Sequence, residues 1–373
     1  MELAVLTPTA PTTLPAGFNE YRSQPVAELK DRCWRAKARL GKRLLVLGHH
    51  YQQDEVIAFA DLRGDSFRLA KMAAENHDCE FIVFCGVHFM AETADILTPP
   101  HVQVILPDLA AGCSMADMAD IDQVENCWDE LAAHLSTADI MPVTYINSAA
   151  NLKAFCGKHG GIVCTSSNAR AVLEWSFAQR SKVLFFPDQH LGRNTARKMG
   201  IGLDDMVVWD PQQPNGGNTP ERLRRAKVLL WKGHCSVHQM FKPAHVDYFR
   251  KHHPNARILV HPECMMEVVD QADVVGSTEF IINTVRQAAP GTEWAIGTEL
   301  HLVNRLKQEH PEQTIHFLST VVCMCATMYR IDLPHLCWVL ENLEAGKVVN
   351  PIRVPDAVAA QARTALARML TVR

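Results

Sequence analysis

Short apolar runs recur along the chain, and each is followed by a polar stretch. Leu44-Leu45-Val46-Leu47 ends in Gly48-His49-His50-Tyr51, and an amphipathic stretch starts at Glu55. Phe81-Ile82-Val83-Phe84 leads to Gly86 and the helix-like run Phe89 to Leu97, and Val102 to Leu106 leads to a loop bearing Cys113. Strand, polar loop and helix in alternation predict a parallel sheet covered by helices.

The pattern then restarts twice. Pro142-Val143-Thr144-Tyr145 runs into Ile146-Asn147-Ser148, Gly161-Ile162-Val163-Cys164 into Thr165-Ser166-Ser167, Val183 to Phe186 into Pro187-Asp188, and Val228 to Trp231 into Gly233-His234-Cys235. The third pass has Arg257 to Val260 before His261-Pro262-Glu263, Ala272 to Val275 before Gly276-Ser277-Thr278, Trp294 to Ile296 before Gly297-Thr298-Glu299, and Thr314 to Phe317 ahead of Cys323 and Cys325. Each unit opens on a strand ending in a polar signature, and in two of them the second strand ends in small hydroxyl residues. Open α/β sheets bind ligands beyond the carboxyl ends of their strands. Three such sheets facing one axis would build a single shared site. One continuous α/β domain with ordinary loops is the plainer reading of the same pattern.

Cys113, Cys235 and Cys325 each follow a strand-like run and lie in or near Gly-containing or polar loops. Three thiolates on one metal centre leave a position open, which suits a Lewis acid. No Cys-x-x-Cys is present, and Cys323-x-Cys325 is too tight for the usual structural zinc spacing. A lone cysteine is most often a small core residue, so pattern alone leaves ligand and packing roles equally open for these three. Core roles are expected for Cys33, Cys79, Cys85, Cys127, Cys156, Cys164 and Cys337, with Cys264 less clear beside Glu263.

His49, Tyr51, Ser66, Tyr145, Asn147, Ser166, His261, Glu263 and Thr278 collect at strand ends. Singly, each reads as a cap or turn residue; together they supply donors for carboxylate or phosphate, with Glu263 as the plausible general base. Asp65-Ser66 and Ser277-Thr278 resemble helix starts, which favour anions. His234 and His238, flanking Cys235, suit a supporting or a packing role, and Glu92 and Thr93 look structural.

Composition narrows the class. The 373 residues are 47% hydrophobic and 21% charged, with net charge −4 and no long block of one sign, which argues against a nucleic-acid or membrane surface. Twelve cysteines spread through a chain of this size indicate free thiols and metal ligation in a reducing cytoplasm rather than a disulfide framework. Met1 to Gln24 reads as a flexible arm without the basic start of a signal peptide. Asp210 to Thr219 reads as a mobile, exposed insertion, either a lid or a linker. The expected organisation is an arm and leading helix over 1–40, then α/β units over 41–138, 139–254 and 255–373, the last with C-terminal helices.

The strand-end motifs, from Gly48-His49-His50-Tyr51-Gln52 through Gly86-Val87-His88-Phe89-Met90-Ala91-Glu92-Thr93, Gly112-Cys113-Ser114, Tyr145-Ile146-Asn147-Ser148, Pro187-Asp188-Gln189-His190, Gly233-His234-Cys235-Ser236-Val237-His238 and His261-Pro262-Glu263-Cys264 to Gly276-Ser277-Thr278, resemble those of the quinolinate synthase A family, in order, from about residue 40 to about residue 345. The resemblance implies three similar three-layer αβα domains in pseudo-threefold arrangement around one [4Fe-4S] cluster per chain. It implies condensation of iminoaspartate with dihydroxyacetone phosphate to quinolinate in de novo NAD biosynthesis, with loss of phosphate and two waters. By motif the ligands are Cys113, Cys235 and Cys325. Cys325-Ala326-Thr327-Met328 resembles the family's Cys-Pro-x-Met, with Ala replacing Pro. His49, Ser66, Ser166 and Thr278 would hold carboxylate or phosphate oxygens, alongside His261. Tyr145 and Asn147 would position the intermediate, and Tyr51 with Glu263 would move protons. Transient contact with an aspartate-oxidising enzyme is also expected. The rival classes are an iron–sulfur hydro-lyase for another small carboxylate and a non-enzymatic iron–sulfur or zinc sensor.

Overall fold

In a computed structural model that describes residues 17–76, 78–321 and 324–372, the apolar runs are strands of three sheets. In chain order they are β1 (Leu44–His49), β2 (Leu62–Gly64), β3 (Phe81–Cys85), β4 (Gln103–Ile105), β5 (Ile140–Tyr145), β6 (Ile162–Cys164), β7 (Lys182–Phe186), β8 (Met206–Trp209), β9 (Val228–Trp231), β10 (Arg257–Val260), β11 (Val274–Val275), β12 (Glu293–Gly297), β13 (Thr314–Phe317) and β14 (Pro351–Ile352). The sheet orders are β14-β4-β3-β1-β2, β6-β5-β7-β9-β8 and β11-β10-β12-β13. Every pairing is parallel except that of β14 with β4. The protein is therefore an α/β fold with several helix-covered parallel sheets.

One ordering recurs in all three sheets. The second strand lies at an edge beside the first, and the third lies on the first strand's other side. Strands covered on both faces need apolar side chains on both, and β5 and β9 are buried at every position. The third sheet shows the two faces separately. Ile258, Val260 and Ala295 enter one core cluster, whereas Leu259, Trp294 and Ile296 enter the other, as the two-residue strand period requires. The first two sheets share one continuous core.

Three strands, β2, β8 and the antiparallel β14, depart from the sequence reading. The amphipathic stretch from Glu55 holds only the short helix Asp54–Ile57, after which the chain re-enters the sheet as β2. The second sheet also gains the edge strand β8. Finding β2 completes the pattern, because all three second strands now run into a small hydroxyl residue: Ser66, Ser166 and Thr278.

The ends of the described chain return to the first two sheets. Helix Val26–Leu40 packs on helix Leu333–Glu344, where Arg32 grips Glu341 with two hydrogen bonds of 2.8 and 2.6 Å. Helix Asp356–Thr371 lies against helix Ala150–Lys158 so closely that a Cβ on Gly157 would stand 1.9 Å from the Gln361 carbonyl oxygen. The 210–219 insertion is anchored rather than a free loop. Gly216, at φ +60°, is buried against the Trp209 ring, and Asn215 Oδ1 lies 2.9 Å from His134 Nε2. Gln212, Gln213, Pro214, Gly217 and Thr219 are exposed, as the sequence predicts for part of the insertion, and none of the insertion lines the cavity described below. Asn-Gly-Gly predicts a turn, but not what that turn packs against. Met1 to Ala16, the first part of the expected arm, and Cys323 lie outside the described residues.

Candidate active site

The polar strand ends and the three cysteines meet at one cavity of about 670 Å³, its open mouth included. The first sheet contributes His49 at the end of β1, Tyr51 beyond it, Ser66 after β2 and Cys113 after β4. The second contributes Tyr145, Asn147, Ser166 and Cys235, and the third His261, Glu263, Thr278 and Cys325. All twelve side chains singled out in the sequence thus line the same space.

The cysteine loops repeat one local geometry. The carbonyls of Cys113, Cys235 and Cys325 accept hydrogen bonds from the amides four residues on, Asp117, Gln239 and Tyr329, at 3.1, 2.9 and 3.0 Å. A 3₁₀ turn begins three residues after each cysteine, at Ala116, His238 and Met328. Each loop follows the strand next out from the sheet's third, namely β4, β9 or β13. Cys325 therefore occupies the place equivalent to Cys113 and Cys235. Burial pushes the Cys113 thiol up to about 12, and the nearby Cys325 adds to the shift. The Cys235 thiol is raised by burial and by Glu263, then by Cys113 and Cys325.

Helix starts border the cavity on three sides. Asp65 caps helix Ser66–Glu75 through the Arg68 amide at 2.9 Å, and Ser277 caps helix Thr278–Arg286 through the Phe280 amide. Ser166 lies just ahead of helix Ala169–Phe177, and its neighbour Ser167 donates to Asp65 at 2.8 Å. Asn147 Oδ1 is buried without a hydrogen-bond partner.

Glu263 is the charged centre of the site. One oxygen accepts from Tyr145 O–H at 2.5 Å and the other from His238 Nδ1 at 2.8 Å. Burial opposes its charge, but the neighbouring imidazoles and these hydrogen bonds prevail and hold the carboxyl at about 2. His261 is itself pushed to about 3, chiefly by burial. It is neutral near pH 7, so its charge acts on Glu263 only in acid, where both groups titrate. His49 is likewise lowered to about 3 by burial, then by His50 and Arg305. The Nδ1 atoms of His49 and His261 accept the amides of Tyr51 and Glu263 at 3.1 and 3.3 Å. In the neutral rings the proton then sits on Nε2.

Sequence reasoning left His238 between two roles and passed over Thr298. Both are buried in the site. His238 stacks on His261 with ring centroids 4.4 Å apart, and its Nε2 lies 3.2 Å from Thr298 Oγ1. The signal for Thr298 was its place at the end of β12; for His238 it was the spacing of three from Cys235. Tyr51 and Glu263, read as partners, do not hydrogen-bond to each other. Tyr51 O–H instead lies 2.8 Å from Thr278 Oγ1 and 2.9 Å from Thr298 Oγ1.

A family model described as Quinolinate synthetase A protein matches residues 32–371. The chain belongs to that family. A Quinolinate synthase from Rhodopirellula baltica is 62% identical over 364 residues, covering 95% of this chain and 93% of the relative. One from a Nocardioides species is 61% identical over 349 residues, covering 92% and 89%. One from Corynebacterium glutamicum is 55% identical over 353 residues, covering 95% and 90%. The chain is accordingly an enzyme of the quinolinate synthase type. Among the described residues no helix is long and apolar enough to cross a membrane.

Proposed function

We propose that the enzyme condenses iminoaspartate with dihydroxyacetone phosphate to quinolinate, releasing phosphate and two waters, in the de novo route to NAD. The observation that carries this reading is the convergence of three like-built cysteine loops on a cavity ringed by anion-binding helix starts. The two substrates contain the atoms of quinolinate, phosphate and two waters with no electrons left over, so the chemistry calls for a Lewis acid rather than a redox partner.

Cys113, Cys235 and Cys325 would hold one [4Fe-4S] cluster, with units 41–138, 139–254 and 255–373 set around it in pseudo-threefold fashion. The donor set fits. The three thiols influence one another's ionisation, and Val87, Phe89, Met90, Met115, Val237 and Met328 give the cavity an apolar wall. Protonated at neutral pH when free, such thiols lose their protons to a bound cation. With Cys113, Cys235 and Cys325 as its three protein ligands, the cluster would keep one iron without a side chain, which would supply Lewis-acid chemistry.

The chain's own groups do the rest. Ser66, Ser166 and Thr278, at or near helix starts, bind carboxylate or phosphate oxygens. The Nε2–H groups of His49 and His261 add neutral donors, and the unpartnered Asn147 Oδ1 receives a substrate N–H. Tyr51 and Tyr145, raised well above the ordinary phenol value chiefly by burial, remain O–H donors at neutral pH. Their hydroxyls join a chain of hydrogen bonds through Glu263, His238 and Thr298 that can move a proton across the cavity. Free cysteines throughout the described residues accord with a reducing cytoplasm. The lability of iminoaspartate favours transient contact with the enzyme that oxidises aspartate.

The test is anaerobic incubation of cluster-loaded enzyme with both substrates, following quinolinate and phosphate together. Equal amounts of the two products support the proposal. Dehydration of another small hydroxy-carboxylate, with no quinolinate formed, would replace it with the hydro-lyase reading.

A further inference from the structure

We propose that His253, Glu293 and His316 form a second cation site, for a divalent transition ion of the zinc class, on the third sheet and apart from the cavity. His253 follows the last turn of helix Pro243–His252, Glu293 is the first residue of β12, and His316 lies in β13. The register pairs Ala295 with His316. Residues two apart share a face of a strand, so Glu293 and His316 project to the same side as diagonal neighbours.

The three side chains already converge. His253 Nδ1 and His316 Nε2 both approach Glu293 Oε1, at 3.0 and 2.9 Å. One ligand atom from each residue lies within 4.8 Å of the others. A tetrahedral ion with bonds of about 2.0–2.2 Å holds its donors roughly 3.3 Å apart, so small side-chain movements suffice. Phe249 fixes both rings from one side, with centroids 5.2 and 5.5 Å away. Among the described residues no lysine or arginine pairs with Glu293.

The donor chemistry selects the ion. Two imidazoles and one carboxylate suit zinc and its first-row neighbours, and they are poor ligands for calcium or magnesium. The side chains are 22–32% exposed, so water can reach the site and complete the coordination. Binding would replace the imidazole protons now directed at Glu293 and tie the end of helix Pro243–His252 to two strands. Glu293 begins the strand whose far end leads to Thr298, so the ion would sit at the opposite end of the strands from the cavity.

The experiment is equilibrium dialysis of cluster-loaded enzyme against zinc chloride, followed by metal analysis and zinc-edge X-ray absorption. One zinc per chain, with a shell of nitrogen and oxygen that includes two imidazoles, is expected. His253→Gln and His316→Gln should each weaken binding at least tenfold, while His252→Gln, at the exposed neighbouring position, should not. Zinc should raise Tm in the wild type but not in the two site variants, whose iron content shows that they fold. A sulfur scatterer at about 2.3 Å, or binding unaffected by His316→Gln, would overturn the proposal. So would the absence of retained zinc.

Discussion

Tyr51 and Tyr145 stand at the two ends of one hydrogen-bonded chain, joined through Thr298, His238 and Glu263 with separations of 2.9, 3.2, 2.8 and 2.5 Å. The chain crosses all three sheets: Tyr51 follows β1, Tyr145 ends β5, and Glu263 and Thr298 follow β10 and β12. His238 belongs to the loop of Cys235. The hydrogen-bonded chain thus meets the cysteine loops at one segment, that of Cys235 and His238.

If protons move along this chain, breaking its middle should resemble removing its end. Thr298→Val keeps the side chain's shape and deletes the hydroxyl between His238 and Tyr51. It should lower kcat by on the order of 10², at the lower end for loss of an acid–base group. Combined with Tyr51→Phe it should cost little more than the worse single change, because the two act in series. Fully additive losses would show that Thr298 and Tyr51 act independently.

Glu263 and the serine at the second sheet's helix start should separate kinetically. Glu263→Gln keeps shape but loses the charge facing Tyr145 and His238, and it should reduce kcat by about 10²–10⁴ with substrate affinity nearly unchanged. Ser166→Ala should instead weaken binding by about 1–3 kcal/mol, the range for a hydrogen bond to a charged group, with a smaller effect at saturation. Steady-state kinetics at matched iron content decides it. An unchanged kcat in Glu263→Gln would remove the carboxylate from the proton path.

Buried neutral histidines make stability depend on pH in one direction. His49 and His261 are lowered from 6.5 to about 3 in the folded chain. Below about pH 6.5 the unfolded chain therefore takes up protons that the native chain refuses. Stability is full above that value and falls as pH drops toward 3, with each histidine contributing a slope approaching about 1.4 kcal/mol per unit. His49→Asn, which keeps an acceptor for the Tyr51 amide, should remove roughly that much slope in denaturant titrations between about pH 6 and 5. An unchanged slope would mean that His49 is charged in the folded protein.

The sequence exposed the site more fully than the fold. Polar residues at strand ends are visible because an apolar run stops abruptly, and that signal found His49, Tyr145 and His261. The three cysteines stood out through their matching places after strands. What escaped depended on distant partners or weak local signals. β2 has three residues, among them the exposed Arg63, and shows no apolar run. His238 acquires its role from Glu263, 25 residues away, and Thr298, 60 away. The 210–219 insertion reads as a free loop until Trp209 is seen beneath Gly216.

The most direct test of the central claim is turnover measured against cluster occupancy. Anaerobic preparations of one batch, reconstituted to graded iron and sulfide contents up to about four of each per chain, would be assayed with iminoaspartate and dihydroxyacetone phosphate. Quinolinate formation should rise in proportion to occupancy and extrapolate to zero for cluster-free protein. Cys325→Ser should remain at the origin, and Cys323→Ser should fall on the wild-type line. Substantial quinolinate synthesis at zero occupancy, or full activity in Cys325→Ser, would contradict the account.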